Sequence, residues 1–129
     1  MSDKIYLLDT SLIVALLSFR DIHHRKAIEL FNQRDGIFMS HFLVFQETIT
    51  VICRRINEQK FFIPEAFKTI QDFFNILMML NEIPPQDEII KIIEKTQCLL
   101  SFTDATLIYY ANILNAEILT FDGNLLSVK

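Results

Sequence analysis

The sequence predicts an α/β fold, a short parallel sheet flanked by helices, and three observations carry that prediction. Short apolar runs of strand length alternate with longer segments whose apolar residues recur at helical spacing. The connections are brief, with two Gly and three Pro in the chain and no linker, repeat or low-complexity tract. Hydrophobic residues make up 51% of the 129, enough for one sizeable core in a single domain spanning residues 1–129. Strands separated by helices pair in parallel, and right-handed crossovers set their carboxyl ends on one rim.

Residues 4–8 form an apolar run that reads as a buried strand. Asp9, Thr10 and Ser11 follow, all good helix caps, and residues 12–17 continue as a helix. A second helix is expected over 21–33 with Ala27, Ile28 and Phe31 inward; Gly36 breaks it, and 37–39 make a second strand. Ser40 is a fair cap for a third helix over 41–56, whose dense stripe is Phe42, Phe45, Ile49, Ile52 and Ile56 and whose end is the polar "NEQK". Pro64 suits a first helical turn and opens a fourth helix to about residue 80. Pro84 and Pro85 forbid helix in "NEIPPQD", leaving a connection with room for a short strand. A fifth helix follows over 87–97, carrying Ile89, Ile90, Ile92 and Ile93. The segment "SFTDATLIYYANILNAEILTFD" supplies a sixth helix opened by Asp104 and a last strand over 117–121, before the closing "DGNLLSVK".

A net charge of −4 argues against attachment to nucleic acid through a general basic coat. It leaves room for an enzyme that meets nucleic acid through metal ions and a few cations, for which Arg20, Arg25, Lys26, Arg54, Arg55, Lys91 and Lys95 are candidates. The adjacent Arg54 and Arg55 read most simply as a solvated helix end. Cys53 and Cys98 lack metal-ligand spacing and are expected to be reduced, buried thiols. The run "IYLLDTSLIVALLSF" has no basic leader, carries Asp9 inside it and is too short to span a membrane, so a soluble cytoplasmic protein is expected.

Four acids border segments that should be buried. Asp9 follows the first strand, Asp122 the last, Asp104 opens the helix leading into that last strand, and Glu47 lies between Leu43 and Val51 on a second apolar face of the third helix. Ligands of open parallel sheets sit beyond the carboxyl ends of the strands, where these acids would gather. Each has a simpler explanation alone. Asp9 and Asp104 could be helix caps worth about 1 kcal/mol each, Asp122 could serve a turn before Gly123, and Glu47 could pair with Arg54. Together they pose a problem, because two carboxylates about 4 Å apart repel by roughly 4 kcal/mol at an effective dielectric of 20. A divalent cation removes it, and oxygen ligands favour magnesium or manganese over zinc. His23, His24 and His41 offer no zinc pattern and read as surface or helix-packing residues.

The stretches "YLLDTSLIVALL", "SHFLVFQETITV", "SFTDATLIYYA" and "ILTFDGNL" occur in the order and rough spacing of the PIN domain, and the chain resembles that family over nearly its whole length. The likeness is greatest to the toxins of VapBC-type (type II) toxin–antitoxin pairs. The resemblance implies a three-layer sandwich and an acidic pocket that holds one or two Mg²⁺ or Mn²⁺ ions and cuts RNA. By motif, Asp9, Glu47 and Asp104 match the core acids and Asp122 a fourth, more variable one. Ser11 matches a hydroxyl position near the metal and Thr120 the threonine two before the last acid; Thr10, Thr103 and Asn124 are expected only nearby. It also implies a structured RNA substrate, a small antitoxin whose tail covers the pocket, and a homodimer. A haloacid-dehalogenase phosphatase would need a second aspartate where this chain has Ser11. The alternatives are a PIN nuclease of RNA maturation without an antitoxin, and a non-catalytic interaction module using Phe61, Phe62, Phe67, Phe73 and Phe74.

Overall fold

A computed structural model describes residues 3–59 and 65–128. Its elements run β1 (Ile5–Leu8), α1 (Thr10–Leu17), α2 (His24–Asn32), β2 (Ile37–His41), α3 (Phe42–Gln59), α4 (Glu65–Ile76), β3 (Met78–Leu80), α5 (Gln86–Lys95), α6 (Phe102–Leu114), β4 (Glu117–Leu119) and α7 (Gly123–Val128). The sheet order is β3-β2-β1-β4 and every pairing is parallel. β1 therefore lies inside, and Leu7 and Leu8 are fully buried. Crossovers of one hand put α1 to α4 on one face and α5 and α6 on the other, so the three-layer α/β sandwich expected from the sequence is what the chain forms.

Helices that cross over between parallel strands run antiparallel to them. Their amino ends therefore share a rim with the strands' carboxyl ends, and α1, α3, α6 and α7 all begin there. The core beneath that rim is aliphatic, with Leu12, Ile13, Leu107, Ile118 and Leu125 at 0–2% exposure. Burial of each such side chain contributes about 1.5–3 kcal/mol, which fixes the rim residues in register.

Several local expectations are corrected. β2 runs through His41, so residue 41 ends a strand and does not open α3. Ser40 is not the cap; its hydroxyl donates to the Leu8 carbonyl at 2.9 Å and ties β2 to β1. His41 caps α3 instead, its Nδ1 accepting from the Leu43 N–H at 3.0 Å while Nε2 meets the Glu82 carbonyl at 2.8 Å. This pattern requires the neutral tautomer with the proton on Nε2, and burial lowers the His41 pKa in the same direction. α3 extends to Gln59, and its fully buried positions are Val44 and Thr48, whereas Phe42 is exposed. α2 starts at His24 and its Ile28 faces outward.

Residues 78–80 form β3 and do not extend α4. The run "ILMML" is apolar at both helical and strand periods, and pairing of Met39 with Met78 decides the matter. The proline connection then follows the strand and does not contain it. Cys53 and Cys98 are both exposed free thiols. Cys98 falls after α5 in a left-handed turn, φ 62°, that aims it away from the core. Pro64, Phe61, Phe62 and the end of "NEQK" lie outside the described residues; Phe67, Phe73 and Phe74 pack on the core. No helix among the described residues is long and apolar enough to cross a membrane.

Gly36 is required where β2 starts against β1. A Cβ there would lie 2.3 Å from the Lys4 carbonyl oxygen, the atom that accepts the Ile37 N–H at 2.8 Å. Gly36→Ala is expected to cost about 2–3 kcal/mol, since overpacking against backbone cannot relax by a rotamer change. Urea unfolding of the variant checks it, with a lower midpoint and an unchanged slope as the expected result.

Candidate active site

Asp9 is the first residue past β1 and the N-cap of α1. Its Oδ1 accepts from the Leu12 N–H at 3.0 Å and the Ser11 hydroxyl at 2.8 Å, and its Oδ2 accepts from the Thr120 hydroxyl at 2.5 Å. Ser11 Oγ in turn accepts the Phe121 N–H, and Thr120 Oγ1 the Asp122 N–H, each at 2.9 Å. Each hydroxyl has one proton and both protons point at Asp9, so the 3.2 Å contact between the two oxygens is proximity alone. Ser11 and Thr120 thereby bolt the end of β4 to the start of α1 and hold Asp9 in one orientation. Three donors fill three of the roughly four acceptor sites of an ionised carboxylate, which leaves one for a further partner.

Asp9 is 3% exposed, and its burial pushes the pKa up to about 6 despite the three hydrogen bonds, with the charge of Asp104 adding to the rise. Asp104 sits in the first turn of α6 and is not its cap, as the sequence suggested; Ser101 caps the helix, its Oγ accepting the Asp104 N–H at 3.1 Å. The Asp104 pKa is raised, first by burial and then by the charges of Asp122 and Glu47. Asp122 stands three residues beyond β4, not directly after it, because the strand stops at Leu119. Its Oδ1 accepts from the Asn124 N–H at 2.8 Å and the Leu125 N–H at 3.4 Å, which caps α7, a helix not anticipated in "DGNLLSVK".

Asp9, Glu47, Asp104 and Asp122 line a single rim pocket of about 350 Å³ together with Thr10, Ser11, Val14, Val51, Arg55 and Ser101. No ion pair among the described residues joins Glu47 to Arg54, which is exposed. The structure thus unites all four acids and Ser11 in one pocket, with Thr120 directly behind Asp9. Thr10 lines it too, and its buried hydroxyl finds no protein partner. Thr103 and Asn124 are not part of the lining.

Among the described residues, no three His, Cys, Asp or Glu side chains form a ready-made ligand set. The donor set nevertheless suits a hard cation. Magnesium keeps several waters and touches one or two carboxylates, so it asks for an open acidic pocket and not a closed cage. The remaining acceptor site on Asp9 and the unpartnered Thr10 hydroxyl fit a hydrated ion of that kind. The histidines stay apart: His23 stacks on Phe121 and His24 Nδ1 lies 2.7 Å from the Ala15 carbonyl.

Ser101 was not among the residues expected at the site, whereas Arg55 was one of seven candidate cations, with the solvated helix end as its simplest explanation. Arg55 lies eight residues from Glu47, with Val51 between, on one line of α3. That spacing was the available signal.

The fold and rim define a class, an α/β protein with carboxylates gathered beyond the strand ends. The PIN domain family matches residues 6–129, and the chain belongs to that family. No curated protein matches it. Among solved structures, it is similar to VapC20 of Mycobacterium tuberculosis, a sarcin–ricin loop cleaving toxin, with 21% identity, TM-score 0.73 and coverage of 95% of this chain and 93% of that one. It is also similar to PAE2754 from Pyrobaculum aerophilum, at 22% identity, TM-score 0.69 and coverage of 98% and 86%. VapBC2 from Rickettsia felis, bound to a DNA fragment from its promoter, aligns at 16% identity, TM-score 0.61 and coverage of 92% and 87%.

Proposed function

We propose that this protein is a metal-dependent endoribonuclease that hydrolyses RNA phosphodiester bonds at Asp9, Glu47, Asp104 and Asp122, with Mg²⁺ or Mn²⁺ as cofactor. The observation that carries the reading is that these four acids, distributed from residue 9 to residue 122, line one pocket in a chain of the PIN domain family. A bound divalent ion would supply an activated water and neutralise charge on the leaving oxygen. The chain's own part is positional. Ser11, Thr120 and the Leu12 N–H hold the Asp9 carboxylate in place, the first turn of α6 presents Asp104, and α3 brings Glu47 across the pocket.

The likeness to a sarcin–ricin loop cleaving toxin and to VapBC2 supports a role as the cytoplasmic toxin of a toxin–antitoxin pair. A structured RNA substrate, a small antitoxin and a homodimer belong to the same proposal. The test is expression in a growing culture with and without a neighbouring small reading frame. Growth arrest relieved by that partner is expected; growth unaffected by expression, or arrest that no partner relieves, would remove the toxin role.

A further inference from the structure

The pocket lining sets four carboxylates against one basic side chain, Arg55. Even with one divalent cation bound the lining stays net negative, and a phosphodiester is itself an anion. At that occupancy a fixed positive group facing the strand offsets the repulsion. Arg55 is the lining residue of that sign, yet none of the ion pairs among the described residues joins it to the four acids. Its Nη2 is ion-paired instead with Asp21 Oδ2 at 3.0 Å, in the connection between α1 and α2.

That anchor is itself fixed. The Asp21 side chain is 9% exposed, and its Oδ1 accepts the His23 N–H at 2.9 Å. The Arg55 side chain keeps 42% of its surface exposed. A guanidinium has five N–H donors in a rigid fork, and Asp21 meets it at Nη2 alone. The remaining donors are the right shape for two oxygens of a phosphate. Arg55 also borders a neighbouring cleft of about 330 Å³ containing Leu17 and Ile52, so a strand gripped there has room to continue past it.

We infer that Arg55, tethered by Asp21, grips a backbone phosphate of the RNA at the acid pocket. This rests on the endoribonuclease reading. Asp21 acts as a positioning residue, since it restrains the guanidinium from collapsing onto the acids it faces.

The experiment uses a fluorescein-labelled RNA stem-loop, with cleavage followed in Mg²⁺ and binding followed by anisotropy in Ca²⁺. Arg55→Gln is expected to raise KM and the RNA Kd by about 10–100-fold, the value of a charge-assisted hydrogen-bonded contact, with kcat within a few-fold. The slope of log K against log salt should fall by about one. Arg55→Lys, which keeps the charge and loses the fork, should recover part of the affinity, and it carries the test if the Gln variant does not fold. Asp21→Asn should weaken binding less than Arg55→Gln and leave the salt slope intact.

Wild-type cleavage with unchanged KM and salt slope in Arg55→Gln would overturn the grip and leave the nuclease standing. Arg55-dependent binding by a wild-type protein that cuts no RNA would do the reverse. Unaltered RNA affinity in Arg55→Gln together with lost affinity for an antitoxin peptide would reassign the residue to a protein partner, and the inference would fail.

Discussion

Asp104→Asn is expected to lower RNA cleavage by at least about 10³-fold while leaving the fold intact. Metal-assisted charge stabilisation contributes several kcal/mol, and each 1.4 kcal/mol is a factor of ten in rate. The variant is isosteric, and its backbone N–H still reaches Ser101 Oγ, so α6 keeps its cap. Its metal-free stability should hold or rise, because burial and then the charges of Asp122 and Glu47 already disfavour the ionised form of Asp104. A cleavage assay paired with thermal unfolding in chelator checks both parts. Retained cleavage, or a large fall in melting temperature, would show that Asp104 serves structure and not chemistry.

The second large effect concerns pH and Asp9. Its pKa is raised from 3.8 unfolded to about 6 in the fold. A group raised on folding binds more protons in the native state, so metal-free stability is greatest below about pH 4 for this residue and falls as pH climbs through about 6. The shift corresponds to about 3 kcal/mol. Magnesium bound to the ionised carboxylate would offset most of that loss, adding about 2.7 kcal/mol when present at one hundred times its Kd. Wild-type stability from denaturant unfolding between pH 4 and 8 should therefore fall with pH in chelator and stay nearly level with Mg²⁺ at that concentration. Asp9→Asn should flatten the chelator curve, and identical chelator slopes in wild type and variant would remove Asp9 as the coupling group.

The layered fold was legible because its signals are local and repeated. Apolar runs bounded by caps and breakers gave β1, α1 and α6 at nearly their observed limits. Errors fell where one local pattern satisfied two structures. Residues 78–80 fit a helical stripe as well as a strand, and only the edge of β2 selects the strand. Ser40 looked like a cap because its type favours one, but the strand expected to stop at residue 39 runs two residues further and His41 takes the role.

The acids were legible one by one, since each interrupts an apolar segment. Their convergence was expected only through the rim rule for parallel sheets and the PIN resemblance, because it depends on crossover handedness and strand order, which no short window encodes. The supporting contacts were harder still. Ser11 and Thr120 meet across 109 residues, and Arg55 acquires its place from Asp21 on a different connection. Burial misled the reading of Cys53 and Cys98, whose residue type is usually internal but whose positions here face outward.

The central claim is that one divalent ion, or a pair, reconciles the four rim carboxylates. Mn²⁺ titration followed by electron paramagnetic resonance, on wild type, Asp9→Asn and Asp104→Asn without RNA, tests it most directly. Saturable binding by the wild type and its loss in both variants is the expected result. Equal Mn²⁺ occupancy in all three proteins, or none in any, would contradict it.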